Sequence, residues 1–462
     1  MGSTLTTTLF LFAVSCSPAT IDISVPVDTE STGTEWYFET GLEVVPEIAD
    51  PEVLPIIMIE TEGTIQQENK VAGEMVLITR HDGDHGDLQS ARPEWTGNIG
   101  IEIRGKSSTG FPKTNFGLET RDENGLDENV SLLEMPSESD WVLHGPYSDK
   151  SLMRNALAYE LGRQLGRYQP RTRFVELYLN GEYWGVYLLT EKIKRDEDRV
   201  DMPAVSDNVE QGDITGGYIF KRESSGEGTG WVSDYGTIYD YHEPRAEEIT
   251  QSQSRYLDQL LNDFENMMQS STFEDEDLGY PSFLDVDSFI DYAIITELAR
   301  NIDGYRKSSY TQKLPDSMGG LMVMGPLWDF NLAFGNANYC NSERTDGWLY
   351  NGQHLCIDLT QIPFWWITLI DSESFQERMR CRWEVHREGP LSDENISQLI
   401  AGWRAQLVAA QRRDEQRWGT IGEYVWPNPI VWDTWNQEVS YLQSWTLERA
   451  AWLDDAIPGS CN

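Results

Sequence analysis

Two aspartates lie in the most apolar parts of the second half of the chain. Asp303 follows a long apolar run in "ELARNIDGYRKSSY", and Asp329 lies inside "GPLWDFNLAFGN". Burying a carboxylate without a partner is costly, so both acids are expected to have a cationic partner. Phosphoryl transfer uses two such carboxylates: one orients the acceptor hydroxyl, and the other holds a metal ion on the phosphates.

The order of elements around Asp303 and Asp329 fits that chemistry. The pattern predicts a helix before Asp303, two strands between the aspartates, and an apolar residue and a turn after Asp329. Protein kinases place their two aspartates in a similar layout. The alternative for Asp303 is a structural role at a helix end or turn. Asp329 follows Trp328 in an apolar strand, where an unpaired acid is rare.

Basic residues in strands supply candidate phosphate contacts. Arg104, Lys106 and Lys113 lie in "RGKSSTGFPK", a glycine-containing turn that is predicted to cover a triphosphate. Lys192 and Lys221 lie in later strands. In order of preference, the predicted phosphate contacts are Lys113, Arg104, Lys221 and Lys192.

Other polar residues are predicted to form ion pairs, structural hydrogen bonds or loops. Glu191 is expected to pair with a lysine, as the phosphate-binding lysine of kinases requires. Arg154 and Asn155, in a predicted helix, are expected to bond Asp149 or backbone rather than line a nucleotide pocket. The segment "HDGDHGDLQ", residues 81–89, resembles a metal site in composition. It lies between strands, however, where a polar glycine-rich loop is the expected structure.

The elements that position these residues are strand-rich in the first half and helical in the second. Apolar or alternating runs predict strands at "GEMVLITR", "GNIGIEIRG", "KTNFGLET" and "GGYIFKRE". Two β-rich runs meet at Asn180-Gly181 and predict a type I′ hairpin. Helical spacing appears in "SLMRNALAYELGRQLG" and dominates after residue 250, apart from the strand-like "SSYTQKL" and "GLMVMGPLWDF". This distribution predicts an α+β fold with two lobes.

The charge of the chain excludes several classes of partner. Its 462 residues include 77 Asp and Glu but 35 Lys and Arg, which gives a formal net charge of −42. A surface of that charge repels nucleic acid and anionic membranes. Hydrophobic residues make up 39% of the chain, enough for a sizeable core in one large two-lobed domain or in two or three domains.

The N-terminus resembles an export signal. Residues 1–16, "MGSTLTTTLFLFAVSC", form an apolar run that is too short to span a bilayer and ends in small residues. "AVSC" is similar to a bacterial lipoprotein signal, in which Cys16 becomes the lipid-modified first residue; the alternative is myristoylation at Gly2. Residues 17–53 read as an acidic tether. The prediction is an extracytoplasmic protein, secreted or lipid-anchored at the cell surface.

The four remaining cysteines are expected to form two disulfides, as is usual in exported proteins. Three pairings are possible, and proximity in the sequence favours Cys340–Cys356 and Cys381–Cys461. A zinc site is the alternative, but no CxxC spacing supports it.

Six segments are together similar to successive blocks of the spore coat protein H (CotH) kinase-like family. In chain order they are "IEIRGKSSTGFPKTNFGLET", "DWVLHGPYSDKSLMRNALAYELGRQLG", "RTRFVELYLNGEYWGVYLLTEKIKRDEDRVDM", "GGYIFKRE", "ELARNIDGYRKSSY" and "GPLWDFNLAFGN". The resemblance covers residues 54–455 and leaves 456–462 as a C-terminal tail. It implies an atypical protein-kinase-like fold that uses ATP and a divalent metal, Mg²⁺ or Mn²⁺, to phosphorylate secreted proteins on Ser.

The resemblance also implies roles for single residues. Asp303 falls on the family's catalytic aspartate, and Asp329 falls on its metal-binding aspartate. Asn331 stands where the family often has a second acid, "WDFD"; an amide oxygen can ligate Mg²⁺ but carries no charge. Ser308 lies five residues after Asp303, where kinases of the usual kind place a metal-ligating Asn.

These observations predict a secreted or surface-anchored kinase that transfers the ATP γ-phosphate to Ser or Thr hydroxyls of a protein. One alternative is a pseudokinase that acts as a cell-surface binding module, which Asn331 and Ser308 favour. The other is a carbohydrate-binding surface lipoprotein, which the 17 Trp suggest. Trp365 and Trp366 would then stack on sugars, although such residues more often pack in a core or lid.

Overall fold

The computed structural model describes residues 53–67, 69–79, 93–206, 212–223, 229–352, 356 and 361–461. All of them belong to one compact unit, Ile48–Asn462. The predicted export signal with Cys16, the tether through residue 52 and the 81–89 loop lie outside the described residues.

Seven strands of the first half form a closed barrel. They are β1 Ile56–Thr61, β2 Val71–Ile78, β3 Trp95–Arg104, β4 Asn115–Arg121, β5 Asp140–His144, β6 Thr172–Leu179 and β7 Glu182–Glu191. Their order is β1-β2-β3-β4-β5-β7-β6, and a parallel pairing of β1 with β6 closes the barrel. β6 and β7 are joined at Asn180 and Gly181, which both have positive φ, as the predicted hairpin turn requires.

Five further strands form a second sheet. They are β8 Tyr218–Arg222, β9 Gly230–Val232, β10 Ile238–Glu243, β11 Ser309–Lys313 and β12 Met322–Met324. Their order is β12-β11-β8-β10-β9, and β8 pairs antiparallel with β11. The sequence patterns do not predict β5, β9 or β10, because the apolar runs of β5 and β9 are only two or three residues long and polar residues interrupt that of β10. β12 is shorter than predicted and ends at Met324, because Pro326 lacks the N–H that a strand ladder needs.

Helices dominate the second half, as predicted. The described helices are α1 Arg154–Gln164, α2 Gln251–Met268, α3 Val286–Ala299, α4 Phe364–Asp371, α5 Glu373–Arg387, α6 Asp393–Leu407, α7 Ala410–Trp418 and α8 Trp435–Ala456. α3 is buried on almost every side, which explains the long apolar run before Asp303. The run after residue 397, predicted as one helix, is divided between α6 and α7. The α+β prediction, with strands first and helices later, is confirmed.

The tryptophans and cysteines belong to the helical core and its edges. Trp365 and Trp366 are 5% and 0% exposed, so they pack in the core and cannot stack on a sugar. Both predicted disulfides are present, Cys340–Cys356 and Cys381–Cys461. The second one ties the predicted tail to α5. No helix among the described residues is long and apolar enough to cross a membrane.

Candidate functional site

Asp303 lies on the turn that follows α3. Arg300, the residue after α3, has a left-handed conformation (φ 45°) that ends the helix and redirects the chain. The Asp303 side chain is 24% exposed, and its Oδ1 accepts a hydrogen bond from Arg306 Nη2 at 3.0 Å. Lys307 Nζ lies 3.6 Å from the same oxygen. Asp303 is therefore a partly exposed carboxylate with two cations beside it.

Asp329 lies on the loop that follows β12 and Pro326. Its φ of 63° is uncommon for a residue with a side chain and costs about 1–3 kcal/mol. The Asp329 N–H donates to the Tyr159 hydroxyl at 3.2 Å, and its carbonyl accepts from Asn301 Nδ2 at 3.1 Å. Its carboxylate, in contrast, forms no hydrogen bond or ion pair with any residue that the structure describes. The backbone is fixed while the carboxylate is left available.

The surroundings of Asp329 disfavour its charged form. Desolvation by the neighbouring protein acts first and repulsion from the Asp303 carboxylate second, and together they raise the pKa of Asp329 to about 6. Arg104 and Lys221 oppose this increase, whereas Glu223 adds to it. The accessible surface of Asp329 is nonetheless that of an exposed residue, so an ion can reach it. A cation bound at Asp329 would offset both the desolvation and the repulsion.

Asn301 connects the two aspartate segments. It is 1% exposed, and its amide bonds both backbones. Nδ2 donates to the Asp329 carbonyl at 3.1 Å, and Oδ1 accepts from the Asp303 N–H at 3.3 Å. One buried side chain therefore sets the position of Asp303 relative to Asp329.

Helix α1 also holds the Asp329 loop. Asn155 Oδ1 accepts from the Phe330 N–H at 2.7 Å, and Arg154 Nε donates to the Ala333 carbonyl at 3.1 Å. Arg154 Nη1 in turn lies 2.6 Å from Asp149 Oδ1. The expected structural bonds of Arg154 and Asn155, to Asp149 and to backbone, are confirmed. These bonds fix the loop that carries Asp329.

Trp328 joins the barrel to the same loop. The Arg104 guanidinium lies 5.4 Å from the centroid of a Trp328 ring, and Tyr159 stacks on Trp328 with ring centroids 6.0 Å apart. Arg104 is the last residue of β3. The contact therefore holds the Arg104 guanidinium of the barrel near Asp329. Its positive charge opposes the rise in the Asp329 pKa.

A cleft of about 360 Å³ is lined by residues of both sheets. Five basic side chains line this cleft. Such a group suits an anionic ligand, and it is unusual in a chain with a net charge of −42. The basic residues are Lys106, Lys192, Lys194, Lys221 and Arg245, and the acidic residues are Asp140, Asp240, Glu243 and Glu247.

Carboxylates hold the cleft lysines in place. Asp140 lies 3.0 Å from the Nζ atoms of both Lys192 and Lys194. Lys221 Nζ donates to Glu223 Oε1 at 3.1 Å and lies 5.8 Å from the Tyr310 ring centroid. Burial alone would lower the pKa of Lys221, but Tyr310 and Glu223 raise it, so the ammonium stays charged.

A family model described as CotH kinase protein matches residues 101–453, most of the chain. The chain belongs to the CotH kinase family. The match includes both aspartate segments, β3 with Arg104, and the strands that carry the cleft lysines. No curated protein gives a significant match to the chain.

Lys113 of this CotH kinase family member is not placed as predicted. It is 1% exposed, and its Nζ lies 2.6 Å from Oδ1 of Asp414 on α7. Burial lowers the pKa of Lys113, and the Asp414 carboxylate counteracts that decrease. The ammonium is engaged in a buried pair between the barrel and a helix, so the prediction that it leads the phosphate contacts is wrong.

Glu191 is also placed differently. It is fully buried, and its Oε1 accepts from Arg171 Nη1 at 2.8 Å. Glu191 and Lys192 are neighbours at the end of β7, and consecutive side chains of a strand point to opposite faces. Lys192 therefore reaches the cleft while Glu191 does not. The predicted pairing of Glu191 with a lysine is wrong, since its partner is an arginine.

The other predicted cations come together in the CotH kinase family member. Lys106, Lys192 and Lys221 line the cleft, and Arg104 and Lys192 line an adjoining cavity of about 200 Å³. Four residues that were not predicted lie among these cations or beside the aspartates. Only the charged end of "GGYIFKRE" could have indicated one of the four. They are Asp140, Lys194, Glu223 and Asn301.

The oxygen donors predicted from the sequence are of the chemical types that a hard divalent cation takes when it is bound together with phosphate. The candidate donors are the Asp329 carboxylate, the Asn331 amide oxygen and the Ser308 hydroxyl. No group of three or more His, Cys, Asp or Glu side chains suited to a metal occurs within the described ranges. Mg²⁺ commonly takes one or two carboxylates and completes its shell with phosphate and water. The donor set fits that mode of binding.

Proposed function

We propose that this protein is an ATP- and metal-dependent kinase that phosphorylates Ser or Thr hydroxyls of a protein. One observation carries the proposal. Asp329 has a carboxylate without a hydrogen-bond or ion-pair partner among the described residues, Asn301 joins its segment to that of a second acid, Asp303, and the cavity-lining cations Arg104 and Lys221 act on its charge. Two acids and a cationic cleft are what phosphoryl transfer requires, because the reaction depends on positioning and on charge stabilisation. Membership of the CotH kinase family supports the same conclusion.

The lobes of the proposed kinase are the barrel on one side and, on the other, the second sheet together with the helices that share its hydrophobic core. In this proposal the nucleotide occupies the cleft between barrel and second sheet, and its phosphates point toward Asp329. Lys192, Lys221 and Arg104 then bind the phosphate oxygens, with Lys106 at the cleft edge. Lys192 is held by Asp140, Lys221 by Glu223 and Arg104 by the Trp328 ring, so the phosphate charge is distributed over several rigid positions.

The two aspartates have distinct roles in the proposed reaction. Asp303 orients the acceptor hydroxyl and takes its proton as the hydroxyl oxygen bonds to the γ-phosphorus; the bond from that phosphorus to the β–γ bridging oxygen breaks, and ADP leaves. Arg306 and Lys307, beside Asp303, hold its carboxylate in place. Asp329 and Asn331 hold a divalent cation, which supplies positive charge to the phosphates when it is bound.

The proposed location is outside the cytoplasm, secreted or lipid-anchored at Cys16. Two disulfides support it, because disulfides persist in oxidising compartments. The signal-like residues 1–16 point in the same direction. The acceptor in this proposal is therefore a secreted or cell-surface protein.

Transfer of label from γ-labelled ATP tests the proposal. The purified protein is incubated with Mg²⁺, or separately with Mn²⁺, and a generic Ser-rich acceptor. We expect Asp303→Asn and Asp329→Asn each to lower the rate by about 10²–10⁴-fold, since each removes a group that acts in the transition state. Asp316→Asn, a matched change on an exposed turn, should leave the rate unchanged.

A nucleotide-binding protein that lacks transfer is the second candidate. It is favoured by the pairing of Asp303 with Arg306 and Lys307 and by the uncharged Asn331. Metal-dependent ATP binding without labelled product, on any acceptor and on the protein itself, would support it. Absence of both binding and transfer would contradict both candidates.

A further inference from the structure

Glu223 ends the strand that carries the cleft lysine Lys221. β8 pairs antiparallel with β11, so that Ser309 faces Arg222 and Tyr310 faces Lys221. The next residue of β8 is Glu223, and the residue before Ser309 is Ser308. Glu223 and Ser308 are therefore the residues immediately beyond the end of the β8–β11 ladder, and Ser308 lies on the segment that leads from Asp303 into β11.

The two carboxylate oxygens of Glu223 differ in their hydrogen bonding to the described residues. The residue is 9% exposed, and its Oε1 accepts from Lys221 Nζ at 3.1 Å. Its Oε2 accepts no hydrogen bond within the part of the chain that the structure describes. The charge of Glu223 also acts on both Asp329 and Tyr310. Trp328, the residue before Asp329, packs against a buried cluster that contains Ile219 of β8 and Tyr310 of β11, so the Asp329 segment lies against the two strands next to Glu223.

The metal centre of the proposed kinase is otherwise short of negative charge. Asp329 contributes one carboxylate, and Asn331 contributes an amide oxygen without charge. Ser308 offers a neutral hydroxyl. Divalent cations in phosphoryl-transfer sites usually have one or two carboxylates, and affinity rises with the number of charged ligands. A second carboxylate from another strand would compensate for Asn331.

We propose that Glu223 is that second carboxylate and binds the divalent cation together with Asp329. The assignment rests on the proposed function, because it concerns the same metal centre. It places one metal ligand on the second sheet and the other on the loop after β12. Lys221 then positions Glu223 through its hydrogen bond while its own charge faces the phosphates.

A structural role is the alternative for Glu223. In that case its function is only to hold Lys221, and removing its charge would change nucleotide affinity but not metal affinity. Gln can still accept the hydrogen bond from Lys221, so Glu223→Gln removes the charge while keeping that contact. The substitution therefore separates the two roles.

Binding of Mn²⁺ to the purified full-length protein, followed by the electron paramagnetic resonance signal of free Mn²⁺, is the test. It is measured with and without a non-hydrolysable ATP analogue. We expect Glu223→Gln to weaken Mn²⁺ binding at least about tenfold and Asp329→Asn to weaken it further. Glu223→Asp, which keeps the charge on a shorter side chain, should lose less Mn²⁺ affinity than Glu223→Gln. Glu248→Gln, an exposed change of the same charge, is the matched control.

A rescue variant gives a readout that a structural role would not produce. Asn331→Asp restores an acid next to Asp329, so the double variant Glu223→Gln/Asn331→Asp should recover most of the lost Mn²⁺ affinity. Recovery of affinity with an unchanged melting temperature would support Glu223 as a metal ligand.

The outcomes separate this inference from the proposed function. If the wild type binds Mn²⁺ and transfers phosphate, but Glu223→Gln binds Mn²⁺ as tightly, the inference is wrong and the kinase proposal stands. If Glu223→Gln loses ATP-analogue affinity alone, the structural role is correct and the inference is wrong. If the wild type binds no Mn²⁺ even with the analogue, the metal-dependent function and the inference both fail.

Discussion

At the scale of single residues, the environment of Asp329 has a measurable pH consequence. Desolvation and the Asp303 charge raise the Asp329 pKa to about 6, so protons compete with a metal ion for its carboxylate below that pH. We expect Mn²⁺ affinity to fall as the pH decreases through about 6. The same titration is measured at several pH values with the spectroscopic readout described above.

Removing the charge of Asp303 should change the pH at which Mn²⁺ affinity falls. Asp303→Asn removes a like charge, which lowers the pKa of Asp329 and extends metal binding to more acidic pH. The midpoint of Mn²⁺ affinity against pH should therefore shift downward in this variant. Asp316→Asn, far more exposed, should not shift it. An identical midpoint in the wild type and Asp303→Asn would mean that the two carboxylates do not interact.

At the scale of elements, the turn after α3 is coupled to the loop after β12 through Asn301. Asn301→Ala removes both hydrogen bonds and should lower kcat at least about tenfold, because misplacing a catalytic group by a fraction of an ångström is costly. KM for ATP should change little, since the cleft lysines keep their own partners. The measurement is steady-state kinetics of labelled transfer.

The control for Asn301 is a variant that also loses a side-chain bond. Asn338→Ala removes the 3.2 Å hydrogen bond to the Tyr424 hydroxyl on the surface and should leave kcat unchanged. Loss of stability in Asn301→Ala with normal kcat per folded molecule would show that Asn301 serves folding rather than positioning.

At the scale of the whole molecule, the Lys113–Asp414 pair fastens the barrel to α7. Lys113→Met leaves the buried Asp414 without a cation and should lower the free energy of unfolding by about 3–5 kcal/mol. The double variant Lys113→Met/Asp414→Leu should regain part of the lost free energy of unfolding. Both are measured by urea unfolding, and ATP affinity of the folded Lys113→Met protein should match the wild type. Loss of ATP affinity would instead restore Lys113 as a phosphate contact.

The two disulfides should differ in their effect on stability. Cys381 and Cys461 are 80 residues apart and Cys340 and Cys356 are 16 apart. In the chain-entropy account, the longer loop contributes about 4–5 kcal/mol and the shorter about 3 kcal/mol. Urea unfolding of the Cys381→Ala/Cys461→Ala and Cys340→Ala/Cys356→Ala variants compares them. A larger loss for the shorter loop would contradict this account.

Local features of this protein were predictable from the sequence. The hairpin at Asn180-Gly181 follows from turn chemistry that involves adjacent residues. The α+β class, most of the strands and helices, and the disulfide pairing also follow from patterns within short stretches. The two aspartates were identifiable because burying a carboxylate in an apolar run is costly unless it has a partner.

The partners themselves were decided only by the tertiary structure. Lys113 meets Asp414 across 301 residues of sequence, and Asn301 meets Asp329 across 28. Glu191 and Lys192 separate because strand geometry sends neighbours to opposite faces. Which charges meet depends on barrel closure and strand register, which arise from packing of the whole chain. The sequence by itself determined which residues could do chemistry, and the fold decided which of them lie together.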